Sequence, residues 1–72
     1  MNEKELLIKL GLRLKELRKS KGLSQEQLAA NCGKDQQSIQ RMESGKHNPS
    51  YIYLIEFCNG LEVSLAELFI GL

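Results

Sequence analysis

What this sequence has little of narrows its chemistry before any motif is read. Its two cysteines, Cys32 and Cys58, are too few for the disulfide framework of a small secreted domain or for a zinc site, and no second ligand cluster accompanies them. Both are expected as small, reduced core residues. The one histidine, His47, lacks the neighbouring serine, cysteine or carboxylate constellation that would make it catalytic or a metal ligand. No enzyme activity, cofactor or metal is therefore expected. No apolar run approaches the roughly 18 residues that cross a membrane. The opening MNEKELLIKL carries acids and no cleavage-like region, which predicts a cytoplasmic chain with no membrane partner. A single proline and no tryptophan, beside a hydrophobic share of 42% and a charged share of 26%, fit a compact helical domain rather than a disordered chain. At 72 residues the chain reads as one domain, 1–72, small enough to bury roughly 60% of the surface that its unfolded form exposes.

Overall charge is nearly absent too, at +1, but its distribution is uneven. All ten lysines and arginines precede Pro49 and face six acids there, a net charge of +4, whereas residues 49–72 hold Glu56, Glu62 and Glu67 and no cation, a net charge of −3. A polyanion would be drawn to the first part, leaving the second for another purpose such as a partner subunit.

The most informative stretch is SQEQLAANCGKDQQSIQRMESG, Ser24 to Gly45, which reads as two short helices around a tight turn. Ser24 and Gln27 have the spacing of a capping box that opens the first helix, which should end near Cys32. Gly33 follows, where a left-handed backbone is cheapest for glycine, and Asp35 can cap a second helix from about Gln36 to Ser44. Leu28, Ala29, Ile39 and Met42 can then share one apolar layer, with Ala29 small enough for close crossing. On the opposite side of the second helix, Gln36, Gln37, Gln40, Arg41 and Ser44 fall within one arc of roughly 140°. Glutamine can make paired hydrogen bonds with adenine, and arginine with guanine, in a DNA major groove. The competing reading of that arc is an ordinary solvated face.

Around this stretch, Glu3 to about Lys21 carries Leu10, Leu14 and Leu17 on one stripe, with Leu6 and Leu7 at its margins, and forms the first and longest helix. Gly22 can end it and Leu23 re-enters the core. Arg13, Lys15, Arg18, Lys19 and Lys21 sit in its last turns, where they also suit the helix dipole. Ile8 and Leu12 lie on the far side from that stripe, either exposed or part of an interface. After KHNPS, where Pro49 stops one helix and Ser50 caps the next, Tyr51 to Leu61 is apolar on more than one side. Tyr51, Leu54, Phe57, Cys58 and Leu61 are expected in the core, and Ile52 and Ile55 away from it. Ser64 and Glu67 have capping-box spacing and open a short last helix that can pack Leu65, Leu68 and Phe69 inward. Ile52, Ile55, Ile70 and Leu72 are candidates for a dimer contact, against the alternative of extra internal packing.

The run LGLRLKELRKSKGLSQEQLA, then Gly33, SIQRMESG, Pro49-Ser50 and finally GLEVSLAEL resembles the Cro/C1-type (XRE) helix-turn-helix family over nearly the whole chain. The resemblance implies an all-α, five-helix domain of the lambda-repressor-like type with its helix-turn-helix core at about 24–45. It implies a sequence-specific transcriptional regulator that puts its third helix in the major groove of double-stranded DNA, as a homodimer on a near-palindromic operator, and acts as a repressor. Gln36, Gln37, Gln40 and Arg41 would contact bases; Ser24, Gln25, Lys34, Ser44, Lys46 and Asn48 would contact the DNA backbone. Arg18 and Glu43 match a pair that ties the first helix to the third. A restriction-modification controller or an autoregulating antitoxin is the alternative within this class, and a protein-interaction module without DNA binding is the alternative outside it. The chain stops before any second, ligand-sensing domain, so no small-molecule ligand is expected. Glu62 departs from the family, which often has glycine there, and is expected to take a left-handed conformation at a cost on the order of 1 kcal/mol.

Overall fold

The computed structural model describes all of residues 1–72. It contains five helices, α1 (Glu3–Ser20), α2 (Gln25–Cys32), α3 (Gln36–Glu43), α4 (Tyr51–Leu61) and α5 (Leu65–Phe69). Each begins on a side chain that accepts a hydrogen bond from an amide the helix itself leaves unpaired. Asn2 accepts from the Glu5 amide at 2.9 Å, Ser24 from Gln27 at 3.0 Å, Asp35 from Ser38 at 2.8 Å, Ser50 from Tyr53 at 3.1 Å and Ser64 from Glu67 at 3.0 Å. The Ser24 box is closed in both directions, the Gln27 side chain accepting from the Ser24 amide at 2.8 Å.

The helices stop as deliberately as they start. Gly33 takes the left-handed conformation (φ 68°, ψ 32°) after α2, and Glu62 takes it (φ 58°, ψ 43°) after α4, the only non-glycine residue with positive φ. The Val63 amide then donates back to the Cys58 carbonyl at 3.0 Å, which turns Val63 into the core beneath α4.

Leu14 and Leu17 of α1, Leu28 and Ala29 of α2, Ile39 and Met42 of α3, Phe57, Cys58 and Leu61 of α4, and Val63 and Leu68 form one buried cluster. Seven large side chains, Phe57 foremost, are completely enclosed, each worth about 1.5–3 kcal/mol of apolar burial. The crossing of α1 over the end of α3 depends on Gly11: a Cβ there would lie 2.5 Å from the Met42 carbonyl oxygen and 2.6 Å from that of Glu43. Arg13 does not face outward with the lysines of α1. Its guanidinium reaches α5, where Nε donates to the Leu68 carbonyl at 3.0 Å and Nη2 to the Glu67 carbonyl at 2.8 Å. Carbonyls at the end of a five-residue helix thereby gain partners from another element.

Several packing expectations need correction. Tyr51 and Phe69 do not enter the core; they are 65% and 46% exposed. Tyr51 opens α4 beyond the reach of the other helices, and Phe69 closes an α5 too short to bury a second aromatic face. Ile8 and Leu12 are both exposed, as expected, although the Ile8 backbone also packs against Gly45 and Leu12 borders a cleft with Lys15, Gln25, Gln40, Glu43 and Ser44. Cys32 is only half-buried. Burial pushes the thiol pKa of both cysteines up, so both stay protonated at neutral pH and are weak nucleophiles.

Candidate nucleic-acid interface

A helix can meet a base edge only if its outward face is free of packing duties and its inward face is fixed. In α3 the two are cleanly separated. Ile39 and Met42 are 0% and 1% exposed, and α3 packs on both α1 and α2. Gln36, Gln37, Gln40 and Arg41 are all exposed. The turn that orients α3 is tight because the Lys34 amide bonds the Ala29 carbonyl at 2.9 Å across Gly33, and Ala29 is small enough to leave α2 and α3 close together. Asp35 holds the start of α3; its hydrogen bonds from the Ser38 amide and hydroxyl keep its carboxyl below the usual carboxylate range.

The amide nearest the turn is oriented from inside the protein. Glu43, buried at the end of α3, accepts from Arg18 Nε at 2.6 Å and Nη2 at 3.1 Å, while Arg18 Nη1 donates to the Leu23 carbonyl at 2.7 Å. The same Glu43 accepts from Gln25 Nε2 at 3.1 Å. That bond turns the Gln25 oxygen toward α3, where it accepts from Gln36 Nε2 at 3.5 Å. A relay therefore runs from Arg18 through Glu43 and Gln25 to Gln36, and leaves the Gln36 oxygen and one N–H for an outside partner. Gln25 is thus held by the protein through its side chain, and only its amide, at the start of α2, is placed to meet an anion; the Ser24 amide is already taken by the Gln27 side chain.

Beyond Gln36 the face continues as a shallow cleft of about 220 Å³ lined by Gln37, Gln40, Arg41, Ser44 and Lys46, with no apolar side chain among them. The Lys46 amide donates to the Arg41 carbonyl at 3.0 Å, closing α3 onto the loop, and the Ser44 hydroxyl donates to the same carbonyl at 3.2 Å. Lys46 and Asn48 are exposed. Lys34 is not brought to this face. Its ammonium donates to Glu56 Oε1 at 2.8 Å and lies 4.1 Å from the Tyr53 ring centre, and the Glu56 bond raises its pKa. Its charge is paired on α4, unlike that of the exposed Lys46.

Residues 14–68 match the helix-turn-helix family HTH_3. The chain belongs to this family. Among its relatives, the control protein C.MunI from Mycoplasma sp is 41% identical over 66 residues, 90% of this chain and 89% of that protein. An uncharacterized HTH-type transcriptional regulator, y4dJ of Sinorhizobium fredii, is 41% identical over 59 residues, 82% and 77% of the two chains. The restriction-modification controller C.AhdI from Aeromonas hydrophila superposes with a TM-score of 0.90 at 38% identity, covering 96% of this chain and 100% of its own. As a Cro/C1-type helix-turn-helix protein, the chain is a DNA-binding regulator of transcription.

Sequence patterning left two features of this helix-turn-helix unit unread. The Gln25 side-chain bond to Glu43 was invisible because polar residues carry no periodic signal that separates an inward amide from an outward one. The stack of His47 on Tyr53, centroids 4.6 Å apart, was missed because Tyr53 interrupts no pattern; the one cue was an aromatic residue on α4 outside the core stripe.

Proposed function

We propose that this DNA-binding regulator reads a near-palindromic operator as a two-fold homodimer and represses transcription from it. Gln36, Gln37, Gln40 and Arg41 contact base edges, with adenine favoured by the glutamines and guanine by the arginine. Lys46, Asn48, Ser44, the Ser24 hydroxyl and the Gln25 amide hold the sugar-phosphate backbone. The observation that carries this reading is the wholly polar cleft along α3 and Lys46. A protein-docking module would present apolar area there, whereas hydrogen-bonding amides and cations are what a base edge and a phosphate require.

Dimerisation is supported by the second half of the molecule. Ile52 and Ile70 are 63% and 66% exposed, Leu72 is exposed and Ile55 half-buried; two of the four lie on α4 and two just after α5, helices that pack against each other. Residues 49–72 carry no lysine or arginine, so they add no positive charge to attract phosphate. A dimer through it would set two α3 helices about 34 Å apart, one turn of DNA. Its sedimentation against that of Ile55→Glu tests the point: equal monomer masses refute the dimer.

The DNA reading is tested by selection of bound duplexes from a random pool at low salt. Lys46→Ala should weaken binding to all sequences alike and lower the salt slope by about 1, and Gln37→Ala should cost about 1–3 kcal/mol at one base position only. Failure of the wild type to retain any duplex refutes it. A restriction-modification controller is the specific role favoured by the full-length likeness to C.AhdI; a selected site upstream of a restriction endonuclease gene supports it, and a site elsewhere refutes it.

A further inference from the structure

The loop that follows α3 carries two of the proposed backbone contacts, Lys46 and Asn48, yet little within the chain holds it. Lys46 bonds back to Arg41, but no intramolecular hydrogen bond reaches residues 47–49. What does reach them is an aromatic stack. The His47 ring lies on Tyr53 with centroids 4.6 Å apart and planes tilted by 30°. Tyr53 in turn lies 5.2 Å from Phe57, which is completely enclosed in the core. The Lys34 ammonium sits 4.1 Å from the same tyrosine ring and is fixed there by Glu56. One half-buried ring therefore touches the loop after α3, the turn before α3 and the core of α4.

We propose that His47 and Tyr53 are positioning residues for DNA binding, whose stacked rings hold the loop bearing Lys46 and Asn48 against α4 in the conformation that clamps phosphate. The inference rests on the DNA-binding reading for its consequence, but its structural part stands alone. A charged side chain held in place before binding loses less freedom on meeting its partner than one on a loose loop. Because α4 also bears the exposed Ile52 of the proposed dimer face, the stack would tie that face to the phosphate-holding loop through one helix. The stack uses ring area and neither the imidazole nitrogens nor the phenol oxygen, so ring-preserving substitutions should leave it working.

The test compares His47→Ala with His47→Phe, and Tyr53→Leu with Tyr53→Phe, in the full chain. Affinity is measured against a duplex selected by the wild type, over a range of salt, beside hydrogen exchange of the loop's Lys46 amide, which is bonded to the Arg41 carbonyl, in the free protein. Both phenylalanine variants should stay within about twofold of wild type, while His47→Ala should bind about tenfold more weakly with a shallower salt slope and faster exchange in the loop. His47→Ala alters a residue outside the core, so it keeps the test open if Tyr53→Leu fails to fold. Unchanged exchange in His47→Ala overturns the proposal whether or not the protein binds DNA. Loss of binding in His47→Phe equal to that in His47→Ala also overturns it, since the imidazole would then be touching DNA itself. Slow loop exchange that depends on the rings, with no duplex bound by wild type, would instead uphold the stack and refute the DNA-binding reading.

Discussion

Removing the Glu43 carboxylate should separate its structural role from its functional one. Glu43 accepts two hydrogen bonds from Arg18 and one from Gln25. Arg18 and Glu43 are each 7% exposed, so Glu43→Ala leaves a nearly enclosed guanidinium with only the Leu23 carbonyl as partner. Breaking a buried pair from one side costs about 3–5 kcal/mol. At about 0.05–0.15 kcal/mol per residue a domain of this size has roughly 4–11 kcal/mol in total, so the variant loses between about a quarter of its stability and all of it. Its melting temperature should fall by more than about 10 °C. Replacing both partners, Arg18→Met with Glu43→Leu, removes the stranded charge and should recover most of that stability. The double variant nevertheless lacks the acceptor that turns Gln25 toward Gln36, so it should fold and bind duplex yet discriminate less well, by about 1–3 kcal/mol, at the base that Gln36 meets. Urea unfolding followed by circular dichroism gives the first quantity, and binding to singly substituted duplexes gives the second. A Glu43→Ala cost below about 1 kcal/mol, the range of exposed pairs, would refute the burial argument. Undiminished discrimination in the double variant would refute the relay.

Three further outcomes follow from the backbone and its caps. Gly11→Ala should destabilise by about 1–3 kcal/mol despite the better helix propensity of alanine, because the added methyl meets the Met42 and Glu43 carbonyls and α1 must move off α3; thermal unfolding checks it, and a stabilised variant would contradict it. Glu62→Gly should stabilise by about 1 kcal/mol, relieving the left-handed backbone at φ 58° that glycine adopts freely, and a lower urea midpoint would count against it. The Asp35 carboxyl has a lowered pKa because it accepts from Ser38, so its contribution is fully present above the ordinary aspartate pKa and is lost as pH falls through the lowered value. Asp35→Asn keeps a capping oxygen without the titration and should flatten the acid limb of the stability–pH curve; an identical acid limb in the two proteins would contradict this.

The fold was legible wherever a residue's type speaks for its position. Ser24, Asp35, Ser50 and Ser64 announced helix starts, Gly33 a left-handed turn, and Leu14, Leu17, Leu28, Ile39 and Met42 a core, because capping, backbone handedness and apolar periodicity are local properties. The second capping spacing gave only half of its promise: Ser64 serves the Glu67 amide. Asn2, which caps α1, went unread because no apolar pattern begins sharply beside it. Side chains with more than one reachable partner were not legible. Lys34 looked like any turn lysine until Glu56 and Tyr53 were brought beside it by α4, and Arg13 looked like a surface cation until α5 folded back to it. Likewise Tyr51 and Phe69 have the periodicity of core residues, but whether anything lies opposite them is settled by helix length and crossing angle, which sequence spacing does not encode.

The separation of duties on α3 also bears on how such a protein changes its target. Neither Gln37 nor Gln40 packs into the core, and the one hydrogen bond of the Arg41 side chain is to the Lys46 carbonyl, at 3.5 Å, so these three positions are free to mutate without endangering the fold. A lineage could wander through operator sequences by exchanging them one at a time, never passing through an unfolded ancestor. Gln36 has no such liberty, since it ends a chain of contacts rooted in a buried acid; retargeting at its base would require partners on α1 and α2 to change with it. Divergence among relatives should therefore run fast at three letters of the site and slowly at the fourth.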